Sequence, residues 1–278
     1  MLKIRERTLP AGWYPVNGVE IAEYAGSAEP GNGVGNAVAG VSPHAGWAFC
    51  GRMIADVVRR LRRDAGTVVV LGGHNPAGMP FFRYDDDAWD LPTGRLRRDV
   101  ELADAAEEAL PEGLDVRPER AVDNTVEVIM PMVASVRPEV SWAAWRVPAD
   151  EGAIAFGEAL ADAAKALGRT VAVIGSTDLT HYGPNYGHMP PESLGNPVEW
   201  VRERDAAFLD ALAREDAREA LRLASVEMSA CSAGGAVAAM SFARSSGCRT
   251  GRLLAYATSR DVHPSSSFVG YGTVVWEA

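Results

Sequence analysis

The repeated alternation of short apolar runs with helical patterns constrains the fold most strongly. Residues 37–41, 67–71 and 171–174 are compact apolar runs, and runs of this length are typical of buried strands. Residues 52–63 repeat their apolar side chains at helical spacing. Further helices are predicted at 99–109, 154–167, 203–224 and 234–244, and further strands at 140–147, 252–258 and 268–276.

This alternation predicts an α/β protein with one domain over residues 1–278. We expect a central mixed, mostly parallel sheet with helices on both faces. Residues 252–258 and 268–276 follow each other without an intervening helix, which predicts an antiparallel pair at one edge of the sheet. The segment through residues 85–94 is predicted to be a polar loop.

Charge and cysteine content limit the partners and the compartment. The formal net charge of −10 argues against nucleic acid or an anionic membrane as the main partner. Three cysteines without close pairing favour a reducing compartment over a disulfide framework. No apolar run resembles a signal peptide or reaches the roughly 18 residues of a spanning helix. We therefore expect a cytoplasmic protein without a membrane partner.

Three histidines stand where predicted strands end. His44 lies in SPHAG after the first strand, His74 in GGHNP after the second, and His181 in GSTDLTH after residues 171–174. Ligand sites of such sheets lie beyond the carboxyl ends of the strands. A single such histidine is commonly a plain loop residue, but three at equivalent positions indicate one shared metal or catalytic site.

Cys231 is the fourth candidate and precedes the helix predicted at 234–244. A helix N-terminus is expected to lower the pKa of the thiol and so favour the metal-binding thiolate. Cys50 and Cys248 are interpreted as small buried hydrophobes. Two imidazoles and one thiolate drawn from distant loops are typical of a catalytic metal with open positions, and suit Fe(II), copper or zinc.

Three other polar side chains flank these loops. Tyr182 and His188 are candidate substrate-binding residues, with a packing role for Tyr182 and a plain loop role for His188 as the alternatives. His263 stands beside Pro264 and a run of serines, which predicts an ordinary turn.

Together these motifs resemble the Memo family, whose fold is that of the class III, LigB-like extradiol dioxygenases. The resemblance covers nearly the whole chain. The matching segments are AGWYP at 11–15, SPHAGW at 42–47, DLPTG at 90–94 followed by Asp99, STDLTHYGPNYG at 176–187, SACSAGG at 229–235 and SFVGYG at 267–272. The resemblance implies His44, His74 and Cys231 as metal ligands, with His74 one residue earlier than the family spacing. It also implies that Asp178 and His181 share the pocket as substrate-binding, orienting or proton-transferring residues.

One departure from the family concerns the segment EHSxExxLP, which is DNTVEVIMP at 123–131 here. Its glutamate survives as Glu127, whereas Asn124 replaces a histidine that serves as the acid/base group in ring-cleaving relatives. Asparagine cannot take up a proton near neutral pH, so the usual proton steps of catechol cleavage are not expected. We predict Asp178, His181, Glu127 and Asn124 as the catalytic group, with His181 as the replacement acid/base.

The resemblance implies a non-heme, metal-dependent oxidoreductase, dioxygenase-like, that acts on a small molecule with O2. Fe(II) is the expected metal, with copper or zinc as alternatives. A binding or signalling protein that keeps the pocket without catalysis is the second hypothesis, and a metal-assisted hydrolase is the third. A homodimer is the default expectation for the assembly.

Overall fold

The computed structural model describes residues 2–26, 35–190 and 195–278. Within these residues the strands are β1 (Ile4–Arg5), β2 (Ala37–Ser42), β3 (Thr67–Asn75), β4 (Phe81–Arg83), β5 (Ala88–Leu91), β6 (Gly94–Arg97), β7 (Val116–Pro118), β8 (Ser141–Pro148), β9 (Val171–Ser176), β10 (His181–Tyr182), β11 (Gly251–Thr258) and β12 (Phe268–Glu277). The helices are α1 (Gly18–Gly26), α2 (Trp47–Arg60), α3 (Val100–Glu108), α4 (Asn124–Glu127), α5 (Met130–Val136), α6 (Gly152–Ala166), α7 (Pro197–Ala213), α8 (Ala217–Glu227) and α9 (Ala233–Ser245).

The large sheet is mixed, and its central strands are parallel. They run in the order β2, β9, β3, β8. β12 pairs antiparallel with β2 and with β11, so the predicted antiparallel pair is confirmed. Every residue of β2 and β9 is buried, as expected for parallel strands that are covered on both faces.

Helices cover both faces of this sheet, as predicted. One buried cluster joins the sheet to α6 and α9, and it includes Phe156, Val237 and Met240. The other joins it to α2 and α5, and it includes Ile54 and Met132. None of the helices in the described ranges is long and apolar enough to cross a bilayer.

Several predicted bounds were wrong. The helix predicted at 203–224 is two helices, because Glu215 between α7 and α8 adopts a left-handed backbone (φ 60°) that no helix continues through. The predicted polar loop contains β5, which forms a hairpin with the following β6 and pairs with β1 in a second, small sheet. The helix predicted at 52–63 begins at Trp47 and ends at Arg60.

Candidate metal centre

The metal-ligand candidates converge where the central strands end. His44 follows β2, His74 lies at the end of β3, and β9 runs between these two strands. His44 Nε2 lies 3.2 Å from His74 Nε2 and 3.3 Å from Cys231 Sγ. One donor atom of each residue lies within 4.8 Å of the others. The strand order thus brings together three side chains that are up to 187 positions apart in sequence.

The ring of His44 is fixed with Nε2 toward the other two donors. Its Nδ1 lies 3.0 Å from Ser176 Oγ at the end of β9. Burial, reinforced by the neighbouring His74, lowers the pKa of His44 to about 3. The imidazole is therefore neutral, and a neutral imidazole whose other nitrogen is hydrogen-bonded is the form that ligates metals.

His74 is supported by a carboxylate that the sequence did not reveal as part of the site. Its Nδ1 lies 3.7 Å from Asp123 Oδ2, and Arg146 Nε lies 3.4 Å from the same oxygen. Burial alone would raise the pKa of Asp123, but the neighbouring His74 imidazole, the hydrogen bonds from Thr125 and the Arg146 charge lower it to about 2. In the sequence Asp123 is recognisable only as an N-cap residue, whose side chain accepts a hydrogen bond from the Thr125 N–H at the start of α4.

These donors fit a transition-metal ion. Ligands about 2.0–2.3 Å from a tetrahedral ion lie roughly 3.3–3.6 Å from one another. The distances of 3.2 Å and 3.3 Å from His44 Nε2 are close to that spacing. Two imidazoles and a thiol form a borderline-to-soft donor set, which suits iron, copper and zinc.

The expected lowering of the Cys231 thiol pKa was wrong for the protein without metal. Burial, followed by the nearby Asp178 charge, raises the pKa of Cys231 well above its ordinary value. Only the N-cap residue Ser232 separates the thiol from α9, yet desolvation of the thiolate outweighs the helix dipole. A metal bound here would therefore displace the thiol proton. Cys50 and Cys248 are both buried, as predicted.

Asp178 and His181 stand beside the donors. Asp178 Oδ1 accepts a hydrogen bond from the His44 backbone N–H (2.7 Å), and its Oδ2 lies 3.9 Å from His44 Nε2. Burial raises the pKa of Asp178 to about 6 despite that hydrogen bond. His181 Nδ1 lies 3.0 Å from the Leu179 carbonyl oxygen, and burial lowers the pKa of His181. Asp178 can therefore change protonation state near neutral pH, whereas burial favours the neutral imidazole of His181.

A cavity of about 440 Å³ opens over these groups. It is lined by Trp13, His44, Ala45, Gly46, Phe49, His74, Asn124, Asp178, His181, Tyr186, Ser259, His263, Ser265, Ser267, Val269 and Tyr271. His263 was expected to be an ordinary turn residue. The turn that carries it folds back over the site, because β11 and β12 on either side of the turn pair with each other.

The chain is similar to known proteins over most of its length. The family model of the Memo-like proteins matches residues 9–275. The chain belongs to the Memo family. It is 30% identical to MEMO1 family proteins of Pyrococcus abyssi (85% of this chain, 86% of that protein) and Thermococcus onnurineus (86% of each). A MEMO1 family protein of Methanopyrus kandleri is also 30% identical over 85% of this chain and 82% of its own length.

Asn124, where this Memo-family chain departs from the expected histidine, lines the cavity. Its Nδ2 donates to the His44 carbonyl oxygen at 3.1 Å. The amide therefore holds the backbone that carries a metal-ligand candidate. It offers the cavity a polar group that does not titrate.

Glu127 lies outside that set of lining residues. It is fully buried, and its Oε1 accepts from the Thr8 N–H (2.8 Å), the Leu9 N–H (2.8 Å) and the Tyr14 hydroxyl (3.0 Å). The Thr8 hydroxyl donates to Oε2. These contacts are those of an anchor for the N-terminal segment, which differs from the predicted catalytic role.

Tyr182 and His188 also lie outside the main cavity. The Tyr182 ring packs on Phe268 (4.9 Å between centroids) and on Trp200 (6.1 Å). His188 packs on Trp200 (5.3 Å) and lines a separate hollow that contains Cys231. The packing alternative therefore describes Tyr182, whereas His188 lies next to the centre on its thiol side.

Proposed function

We propose that this Memo-family protein is a non-heme, metal-dependent oxidoreductase that acts on a small molecule with O2, with Fe(II) as the metal and copper as the alternative. The observation that carries the proposal is the convergence of His44 Nε2, His74 Nε2 and Cys231 Sγ beside a 440 Å³ cavity. When bound, such a metal supplies redox and Lewis-acid chemistry at positions that the protein leaves open.

Asp178 and His181 are the proton carriers in this proposal. The pKa of Asp178 is raised to about 6, so its carboxyl group can release and regain a proton near neutral pH. Burial lowers the pKa of His181, and its Nδ1 is engaged by the Leu179 carbonyl oxygen, which leaves Nε2 as a neutral base. Asn124 orients by hydrogen bonding and moves no proton.

The remaining walls select for a small, partly aromatic substrate. Trp13, Phe49 and Tyr271 provide apolar surface, while Ser265 and Ser267 provide hydroxyl groups. A cavity of this volume accommodates a molecule of small-metabolite size. The unpaired Cys50, Cys231 and Cys248 support our placement of this activity in the cytoplasm.

The test begins with metal content. Protein purified without oxygen from iron- or copper-supplemented cells should hold one ion per chain by elemental analysis. His44→Ala and Cys231→Ser should lose that ion, because each removes a donor atom. Cys248→Ala is the matched control, since it removes a buried thiol outside the donor group and should keep the ion.

Oxygen uptake during a substrate screen then separates the hypotheses. Uptake that requires both metal and substrate supports the oxidoreductase. Metal-dependent turnover without uptake would instead indicate the hydrolase, whose metal-bound water needs no O2. Binding without turnover would indicate the non-catalytic alternative. A wild-type chain that stays metal-free in supplemented medium would overturn the proposal.

A further inference from the structure

Cys231 lines a second hollow of about 320 Å³, whereas His44 and His74 line the main cavity. His181 and Tyr186 line both this hollow and the main cavity. Their rings meet edge-on, with 5.0 Å between centroids and an interplanar angle of 86°. These two rings therefore separate the two spaces. The imidazoles of His44 and His74 face the main cavity, and the thiol of Cys231 faces the second hollow.

We call this second space the thiol-side hollow; its lining residues are His181, Tyr186, His188, Ala224, Met228, Ala230 and Cys231. One of these side chains, Met228, is unusual. Met228 is 53% exposed and ends α8 in a left-handed backbone conformation (φ 51°, ψ 37°). Glycine or asparagine normally takes that position, because a larger side chain is strained there. The strained turn presents a thioether to solvent, three residues before Cys231 along the chain.

The ligand chemistry of this hollow is soft. Its lining offers the thioether of Met228, the imidazole of His188 and the thiol of Cys231. No carboxylate is among the described residues that line it, whereas Asp178 lines the main cavity. Thioether, imidazole and thiolate together favour Cu(I) over hard divalent ions.

We propose that the thiol-side hollow is the route by which Cu(I) is loaded into the centre, with Met228 and His188 as transient ligands that pass the ion to Cys231. The inference rests on the metal centre of the proposed function. In this transfer Cu⁺ replaces the thiol proton of Cys231, which leaves to solvent, and no electron moves. The substrate cavity can then stay occupied by other molecules while the ion enters from the other side.

The test measures the rate of loading without oxygen. Apoprotein is mixed with the coloured Cu(I)–bicinchoninate complex, and the loss of colour reports transfer to the protein. Met228→Leu keeps the size and apolarity of the side chain but removes the sulfur. We expect it to slow loading several-fold, with wild-type final stoichiometry and equilibrium affinity. Fe(II) loading of the same variant should keep the wild-type rate, because a thioether is a poor ligand for that harder ion.

Met189→Leu is the matched control. Met189 is equally exposed, at 54%, and it is not among the residues that line the hollow. It should load at the wild-type rate, while His188→Gln should load slowly like Met228→Leu. Equal loading rates in wild type, Met228→Leu and His188→Gln would overturn the proposal. So would a wild-type chain that takes up no Cu(I), or a Met228→Leu chain with lower final stoichiometry.

These results are separable from those that test the proposed function. A chain that loads Cu(I) through Met228 but never consumes oxygen, with either metal, would refute the oxidoreductase and leave the loading route standing. If iron-loaded protein consumes oxygen but Met228→Leu does not change the rate of Cu(I) loading, the loading route is refuted and the oxidoreductase stands.

Discussion

Glu127 and Asp178 are both buried carboxylates, and the protein surrounds them differently. Glu127 accepts hydrogen bonds from two backbone N–H groups and two hydroxyl groups of the segment from Thr8 to Tyr14. Asp178 accepts one short hydrogen bond from the His44 N–H, and its other oxygen faces the metal-ligand group. Burial raises the pKa of Asp178 to about 6.

This difference shows that the number of hydrogen-bond donors around a buried carboxylate, more than its burial, indicates whether its role is structural or catalytic. A carboxylate whose lone pairs are filled by donors is held in one place and stabilises the fold. A carboxylate with few donors and an open face pays a desolvation cost and titrates near neutral pH, which is the usual condition of a catalytic group. Substitutions of these and neighbouring polar side chains can test this comparison.

The largest effect is expected for Glu127→Ala. It leaves the Thr8 N–H, the Leu9 N–H and the Tyr14 hydroxyl without their partner, so the free energy of unfolding should fall by about 3 kcal/mol. Denaturant unfolding measures this loss. Glu127→Gln keeps an oxygen acceptor and should retain stability and turnover. An inactive but stable Glu127→Gln would restore the predicted catalytic role and break the comparison.

Asp178→Asn should show the opposite pattern. The amide oxygen can still accept from the His44 N–H, but an amide cannot carry the proton that the proposed function assigns to this side chain. Turnover, measured by oxygen uptake, should fall about 100-fold. Metal content and melting temperature should stay at or above wild-type values, because a buried charge has been removed. Undiminished turnover would show that Asp178 does not transfer the proton.

Asp205 is a third buried carboxylate, with fewer hydrogen-bond donors than Glu127 and more than Asp178. It is fully buried and accepts from the Thr180 N–H (3.0 Å) and the Tyr256 hydroxyl (2.8 Å). Burial nevertheless raises the pKa of Asp205 to about 6, against roughly 3.9 in an unfolded chain. The folded state therefore binds the proton more tightly, and Asp205 should cost roughly 2–3 kcal/mol of stability as the pH rises from 4 to 6.

Asp205→Asn keeps both hydrogen bonds without the charge, because the Tyr256 hydroxyl can rotate to accept from the amide. The variant should lack this part of the pH dependence and be more stable than wild type at pH 8. Urea unfolding of both proteins at several pH values measures the difference. A difference that is constant from pH 4 to pH 8 would show that folding does not raise the pKa of Asp205.

The smallest effect is expected for Asn124→Ala. It removes the hydrogen bond to the His44 carbonyl oxygen, which is worth about 1 kcal/mol of stability. Turnover should fall less than tenfold, because an amide transfers no proton. A loss as large as that of Asp178→Asn would place Asn124 in the catalytic group after all.

Much of the architecture was predictable, because strands that are buried on both faces of the sheet have short, continuous apolar sequences. The structure contains the strands predicted at 37–41, 67–71 and 171–174. It also contains the antiparallel pair predicted near the C-terminus of the chain. The hairpin of β5 and β6 was missed because only Ala88, Trp89, Leu91 and Leu96 bury apolar surface among its polar and charged residues. The break at Glu215 was missed because a single left-handed residue leaves no periodic signal.

The sequence by itself determined the donor types and where they stand in the chain: His44 and His74 at strand ends and Cys231 before a helix, with Asp178 and His181 beside them. Only the tertiary structure decided which polar residues surround them. Asp123, His263 and the thiol-side hollow reach the centre through contacts between distant segments, whereas the contacts of Glu127 direct it to the N-terminal segment. The physical reason is that chemical type is local to a residue, but hydrogen-bond partners and desolvation are set by the packing of the whole chain.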